Sequence, residues 1–143
     1  MPAKIIQLKS NEEIITCFPL MQQLRPQLDQ AQFLDLVTEA IKVDRYHLFA
    51  LLSKENIVSV IGFKPMTTLY YGRFIWVCDL VTHVDYRSKG YGEKLLNFTE
   101  SWAKDHQYTS IALSSGMQRT DAHRFYQQKM HYGKVSYVFK KDI

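Results

Sequence analysis

The chain has 143 residues, 46% of them apolar and 22% charged, the balance of a soluble globular protein long enough to bury one core. Its net charge of +4 accommodates an anionic ligand, but the only basic cluster is the short pair Lys140 and Lys141, which argues against a nucleic-acid partner. It holds no 18-residue apolar span, signal-peptide core or lipidation motif, and Cys17 and Cys78 lie in apolar patterns without metal-ligand spacing, so the expectation is a cytoplasmic protein with free buried thiols, no metal and no membrane partner.

KIIQL (4–8) reads as a first strand. Ser10 and Glu13 have capping-box spacing, which predicts a helix from there to about residue 24, ended by Pro26. Asp29 and Gln32 repeat the spacing for a second helix, with Phe33, Leu36, Val37, Ala40 and Ile41 as its apolar face. YHLFALL (46–52) and IVSVIGF (57–63) read as a hairpin about Lys54-Glu55-Asn56, the second strand running on past Pro65 toward Tyr70. FIWVCDLV (74–81) is almost continuously apolar, the mark of a central strand covered on both faces.

A helix is expected from about 90 to 106, with Tyr91, Leu95, Phe98, Trp102 and Ala103 on its apolar stripe. SIALSS (110–115) is a buried strand, 120–130 a helix, and KVSYVFKK (134–141) a final edge strand. The terminal lysines of that strand resemble protection against edge pairing, which favours a monomer over a homodimer. Strand 74–81, helix 90–106 and strand 110–115 form a β-α-β unit with parallel strands. The expected fold is α/β: one domain over 1–143, a mixed sheet of about six or seven strands, helices on both faces, in the order β-α-α-β-β-β-α-β-α-β.

The stretch VDYRSKGYGEKLL (84–96) carries the chemistry. Gly90 and Gly92 permit positive φ and close approach of backbone to a ligand at the mouth of a helix, where amides and dipole favour an anion. Arg87 and Lys89 add charge. The alternative is a plain strand-to-helix turn. The spacing is neither a dinucleotide-binding fingerprint, since Leu95 stands at the third glycine position, nor a Walker loop.

Arg87-Ser88-Lys89-Gly90-Tyr91-Gly92 resembles the Arg/Gln-x-x-Gly-x-Gly/Ala acetyl-CoA loop of the GNAT superfamily of N-acetyltransferases, and AHRFYQQKMHY (122–132) resembles that family's Ala-x-x-x-Tyr motif. The element order is similar to the family's over essentially the whole chain. Arg119 replaces an asparagine common in the second motif, and Met130-His131 a Gly-Phe.

The resemblance implies acetyl transfer from acetyl-CoA to a primary amine by direct attack in a ternary complex. It implies that Arg87, Ser88, Lys89, Gly90, Tyr91 and Gly92 hold the coenzyme pyrophosphate. It implies that a backbone amide near Leu80 or Val81 polarises the thioester carbonyl, and that Tyr126 gives the leaving thiolate its proton. Arg119 and Arg124 flank the second motif, and Arg119 could meet the coenzyme phosphates or be a surface arginine.

Asp79 is the lone acid in an apolar run, so it has either a structural partner or a catalytic task such as binding or deprotonating the amine. His83 is a second candidate at the substrate amine. Arg25, in the 23–30 connection, could pair a substrate anion or be a solvated arginine. Tyr71 could line the opposite wall or cap the sheet. The acceptor is either a small-molecule amine or a protein amine. The competing reading is a non-catalytic acyl-CoA-binding module of the same fold.

Overall fold

Ser10 opens the first helical stretch as its capping box requires. In the computed structural model, which describes residues 3–143, its hydroxyl accepts from the Glu13 amide at 3.1 Å and the Glu13 carboxylate accepts from the Ser10 amide at 2.9 Å. The stretch is two helices, α1 (Asn11–Thr16) and α2 (Phe18–Leu24), where one was expected. Pro19 explains the break: it has no N–H for Ile15 and its ring opposes that carbonyl, so it is tolerated only in a first turn, which is where α2 places it. Asp29 and Gln32 then cap α3 (Gln30–Asp44) reciprocally. Phe33 and Val37 are buried on that helix, but Leu36 is 54% exposed, outside the stripe expected for it.

A five-stranded sheet follows the order β1 (Lys4–Gln7), β2 (His47–Ser53), β3 (Asn56–Thr68), β4 (Gly72–Thr82), β5 (Ile111–Leu113). The first four are antiparallel neighbours. The β2–β3 hairpin turns on Lys54 and Glu55, both with positive φ (51° and 67°), as a two-residue turn of matching twist demands. Pro65 sits in β3 beyond Phe63, where β2 has already begun at His47, so only β4 remains as a partner there. The 3-10 turn Val84–Tyr86 and α4 (Tyr91–Asp105) connect β4 to β5. The Thr109 amide donates to the Arg73 carbonyl and the Ile75 amide to the Ser110 carbonyl. Both chains advance together along this pair, which makes β4 and β5 parallel.

Alternation sorts the side chains to two faces. Leu48, Ala50, Val60 and Val81 join Leu8, Ile14, Leu20, Met21, Phe33 and Val37 beneath the first three helices. On the other face Phe49 and Phe63 meet Phe98 and Trp102 of α4, with ring centroids 4.8–4.9 Å apart. The expected helices on both faces are present.

The contact pattern divides the chain into a unit ending at Ala112 and a unit from Leu113 to Ile143. The second unit holds α5 (Thr120–Arg124), which continues into a wider turn over Phe125–Lys129 closed by Met130 N–H donating to the Phe125 carbonyl.

The expected strand over 134–141 does not form. Val135, Tyr137, Val138 and Phe139 are 69–92% exposed. Alternating residues favour a pleat only where a neighbouring strand supplies hydrogen bonds, and the local pattern cannot supply the neighbour. Among the described residues the strand count is therefore five, fewer than expected, and the monomer argument drawn from a protected edge at Lys140 and Lys141 loses its basis. No helix among the described residues is long and apolar enough to cross a membrane.

Candidate active site

The centre of the site is a break in the β3–β4 ladder. Gly62 faces Asp79, but Phe63 faces Val77, so Cys78 is the extra residue of a β-bulge. Beyond it the register is regular, and the His83 amide donates to the Val58 carbonyl at 2.8 Å. That bond fixes the alternation: the backbone groups of Asp79 and Val81 turn toward β3, and those of Leu80 and Thr82 turn toward the opposite edge. Arg87 Nε reaches the Thr82 carbonyl at 3.3 Å, which agrees with this direction. Of the two amides expected at the thioester, Leu80 therefore presents its N–H away from β3, while the Val81 amide is taken up by the ladder. Ser110 pairs beside Ile75, so β5 (Ile111–Leu113) runs alongside the stretch of β4 that leads up to Leu80.

Asp79 has the structural partners that a lone acid in an apolar strand requires. Its Oδ1 accepts from Arg25 Nε at 3.2 Å and Nη2 at 3.0 Å, and its Oδ2 accepts from the Tyr46 hydroxyl at 2.7 Å. Arg25 Nη2 also donates to the carbonyl of the bulge residue Cys78 at 3.0 Å. Arg25 thus spends one edge of its guanidinium inside the protein rather than on a substrate anion. Tyr46 reaches Asp79 by lying across Gly62; a Cβ there would fall 1.7 Å from the tyrosine oxygen. Burial, then the charge of Asp79, raises the Tyr46 hydroxyl well above the ordinary tyrosine range. Burial, with Asp79 as a second contributor, pushes both Cys17 and Cys78 up to about 12.

The loop after β4 is built to expose amides. Ser88 and Gly90 have φ of 65° and 83°, Lys89 between them does not share the positive sign, and α4 starts at Tyr91. Alternating handedness turns successive amides to one side, the geometry of an anion nest. Gly90 is the N-cap and offers no side-chain acceptor, and the first helical bond runs from Lys94 to the Gly90 carbonyl. Tyr91 and Gly92 therefore keep amides without an acceptor among the described residues, at the positive end of a 15-residue helix. The space a Gly90 Cβ would enter is open. Arg87 is anchored to β4 through Thr82, and Lys89 Nζ stands 5.7 Å from the Tyr86 ring centroid. These features fit a diphosphate: orphan amides, flanking cations and no side chain in the way.

His83 holds its Nδ1 toward the Asp85 amide at 3.1 Å, so the lone pair on that nitrogen is already an acceptor within the turn. Tyr71 is not brought to the others. Its ring packs edge-on to Phe74 and Tyr70 at the start of β4, and at about 3.3 Å per residue an extended strand sets it roughly 25–30 Å from Leu80.

Within the second unit, Tyr126 is 9% exposed, with its ring against Phe125 and Tyr132. Burial raises its pKa, with Arg119 as a smaller opposing influence. Its hydroxyl has no hydrogen-bond partner among the described residues. Arg119 precedes α5 and donates its amide to the Gly116 carbonyl. His123 lies 2.8 Å from that same carbonyl, and Arg124 pairs with Asp121. No three His, Cys, Asp or Glu side chains are grouped to hold a metal among the described residues.

Sequence reasoning missed Tyr46, Gly62 and Cys78. The available signal was Gly62, an isolated glycine inside a β-branched run, which marks a close approach to the strand.

Residues 10–132 match the model of the "Acetyltransferase (GNAT) family". The chain is 39% identical over 137 residues to a Bacillus subtilis protein named "Uncharacterized N-acetyltransferase YhdJ", covering 96% of each. Among solved structures it superposes on a GNAT family acetyltransferase from Staphylococcus aureus with a TM-score of 0.79 at 20% identity, covering 100% of both chains. It superposes on an aminoglycoside N-acetyltransferase in complex with CoA with a TM-score of 0.85 at 13% identity, covering 99% of this chain and 95% of the other. The match over 10–132 and the relative at 39% identity, on a fold these structures share, make this chain a member of the GNAT acetyltransferase family.

Proposed function

We propose that the chain is an acetyl-CoA-dependent N-acetyltransferase that acetylates a primary amine by direct attack in a ternary complex. The observation that supports it most is the nest at 88–92, with amides at Tyr91 and Gly92 that lack acceptors and with Arg87 and Lys89 beside them. When bound, acetyl-CoA supplies an acetyl group already activated as a thioester.

The chain's own groups supply the rest. The amides of Tyr91 and Gly92, with Arg87 and Lys89, hold the pyrophosphate; Ser88 and Gly90 provide the turn that aims them. The Leu80 N–H, directed away from β3, is the donor assigned to the acyl carbonyl. Arg119 is assigned to coenzyme phosphates. Tyr126 keeps its proton at neutral pH, as its raised pKa requires, and donates it to the thiolate.

The amine must lose a proton. Both oxygens of Asp79 already accept hydrogen bonds, and His83 Nδ1 is already an acceptor. Water is therefore assigned the proton, and the reactive acceptor is the fraction of amine that is neutral in solution. The acceptor is a small-molecule amine or a protein amine, and solved structures of like fold include both an aminoglycoside acetyltransferase and a ribosomal-protein-alanine N-acetyltransferase.

Calorimetry with CoA tests the proposal on wild type and a Gly90→Glu/Gly92→Glu variant. Micromolar binding to wild type that vanishes in the folded variant supports it. No binding by folded wild type overturns it. Thiol release over an amine panel then separates an enzyme from a binding module.

A further inference from the structure

The proposed chemistry leaves Arg25, Tyr46 and Asp79 without a direct part in it. Together with Gly62 and the Cys78 carbonyl they form a connected set that spans elements far apart in sequence. Arg25 ends α2, where its amide donates to the Met21 carbonyl and Pro26 prevents continuation. Tyr46 stands just before β2, Gly62 is in β3, and Cys78 and Asp79 are in β4.

A bulge breaks ladder bonding at one residue and leaves its backbone groups to find other partners. Here the carbonyl of the bulge residue accepts from Arg25 Nη2, and the next side chain, Asp79, accepts from both Nε and Nη2 of the same guanidinium. One planar fork therefore grips the bulge at two points, which a flexible ammonium could not do. Tyr46 clamps Asp79 from the other side at 2.7 Å. Gly62, directly opposite Asp79 in the register, is the residue whose missing side chain lets the tyrosine through. The Leu80 amide, two residues beyond the bulge, takes its direction from this point.

We propose that Arg25, Tyr46 and Asp79 are positioning residues that lock the β4 bulge, and that through it they fix the direction of the Leu80 amide and tie the α2–α3 connection to the acyl end of β4. The consequence for an acyltransferase rests on the function proposed above, but the mechanical part does not. The lock sets the acyl group rather than the coenzyme, because the Tyr91 and Gly92 amides assigned to the pyrophosphate belong to α4 and not to β4. It therefore acts on kcat and leaves coenzyme affinity alone.

The test compares wild type with Arg25→Ala, Arg25→Lys and Tyr46→Phe by amide hydrogen exchange, CoA calorimetry and steady-state kinetics. In Arg25→Ala, exchange over 78–82 rises about tenfold, the loss expected of a charge-assisted bond, while 49–51 in β2, which pairs with β1 and β3 and not with β4, stays at the wild-type rate. In the same variant kcat falls about 100-fold, as a small misplacement of reacting groups causes, with the Kd for CoA unchanged. Arg25→Lys rescues neither, since it cannot bond Cys78 and Asp79 along one fork; Tyr46→Phe shows a smaller effect of the same kind.

Unchanged exchange at 78–82 in folded Arg25→Ala overturns the lock. A Kd for CoA that weakens in step with kcat overturns its selectivity for the acyl group. If wild type neither binds CoA nor turns over an amine yet exchange at 78–82 rises in Arg25→Ala, the acyltransferase reading fails and the lock on the bulge stands.

Discussion

Gly62→Ala separates the geometry from ordinary propensity, because the two predict opposite signs. Replacing a strand glycine by alanine is favourable by about 0.5–1 kcal/mol where the site is free, through the lower entropy of the unfolded chain. Gly62 is not free: a Cβ built there lies 1.7 Å from the Tyr46 oxygen, 2.3 Å from Cζ and 2.8 Å from Cε1. Tyr46 is only 7% exposed and packs with the residues beneath the first three helices, so its ring cannot swing into solvent cheaply. Forcing it aside costs about 1–3 kcal/mol of overpacking, and losing the bond to Asp79 costs about 1–3 kcal/mol more for the polar groups left without partners.

After the gain from propensity, the net loss is about 3 kcal/mol. With a urea slope of about 2 kcal/mol/M for a domain of this size, the unfolding midpoint drops by about 1.5 M. The partner experiment places Gly62→Ala in a Tyr46→Ala background, where the obstacle is gone and the substitution becomes neutral or stabilising. A wild-type midpoint for Gly62→Ala, or an equal loss in both backgrounds, would refute the claim that the glycine exists to admit the tyrosine.

Tyr126→Phe lowers kcat on the order of 100-fold and leaves the CoA Kd at its wild-type value, read by thiol release and calorimetry. The raised pKa of Tyr126 keeps its proton in place beyond pH 10, so kcat/KM for the amine climbs with the acceptor's own ionisation and shows no alkaline fall below about pH 10. The same sign governs stability: for a group whose pKa is higher in the folded chain, the contribution is complete below the unfolded value near 10 and is lost as pH rises through the folded one, which thermal melts across pH 9–12 would show. Gly90→Ala meets no atom within 4 Å, so its cost of about 1–2 kcal/mol is backbone strain at φ 83° alone, seen as a lower midpoint together with weaker CoA binding. With pKa values pushed up to about 12, Cys17 and Cys78 are almost wholly protonated at pH 8, and native alkylation runs about a thousandfold slower than in urea.

What could be read from the chain beforehand follows from the range of the interactions involved. The caps at Ser10 and Asp29, the apolar stripe of α4 and the glycine loop at its start are settled within a few residues, so their spacing suffices. The split at Pro19 was equally local and could have been drawn from the missing N–H. Asp79 belongs to a different class. Its isolation in an apolar strand demanded a partner, but nothing near it names Arg25, 54 residues away, or Tyr46, 33 residues away. The same ambiguity made Arg25 and Asp79 look like two separate sites, one for a substrate anion and one for a base, when each is the other's counter-charge. Gly62 held the missing clue, since a strand that gives up a side chain in its buried middle does so to admit something else. For 134–141 the limit is stricter still. Alternation of Val135, Tyr137 and Phe139 describes a chain able to join a sheet, and membership depends on an edge that the segment itself does not encode.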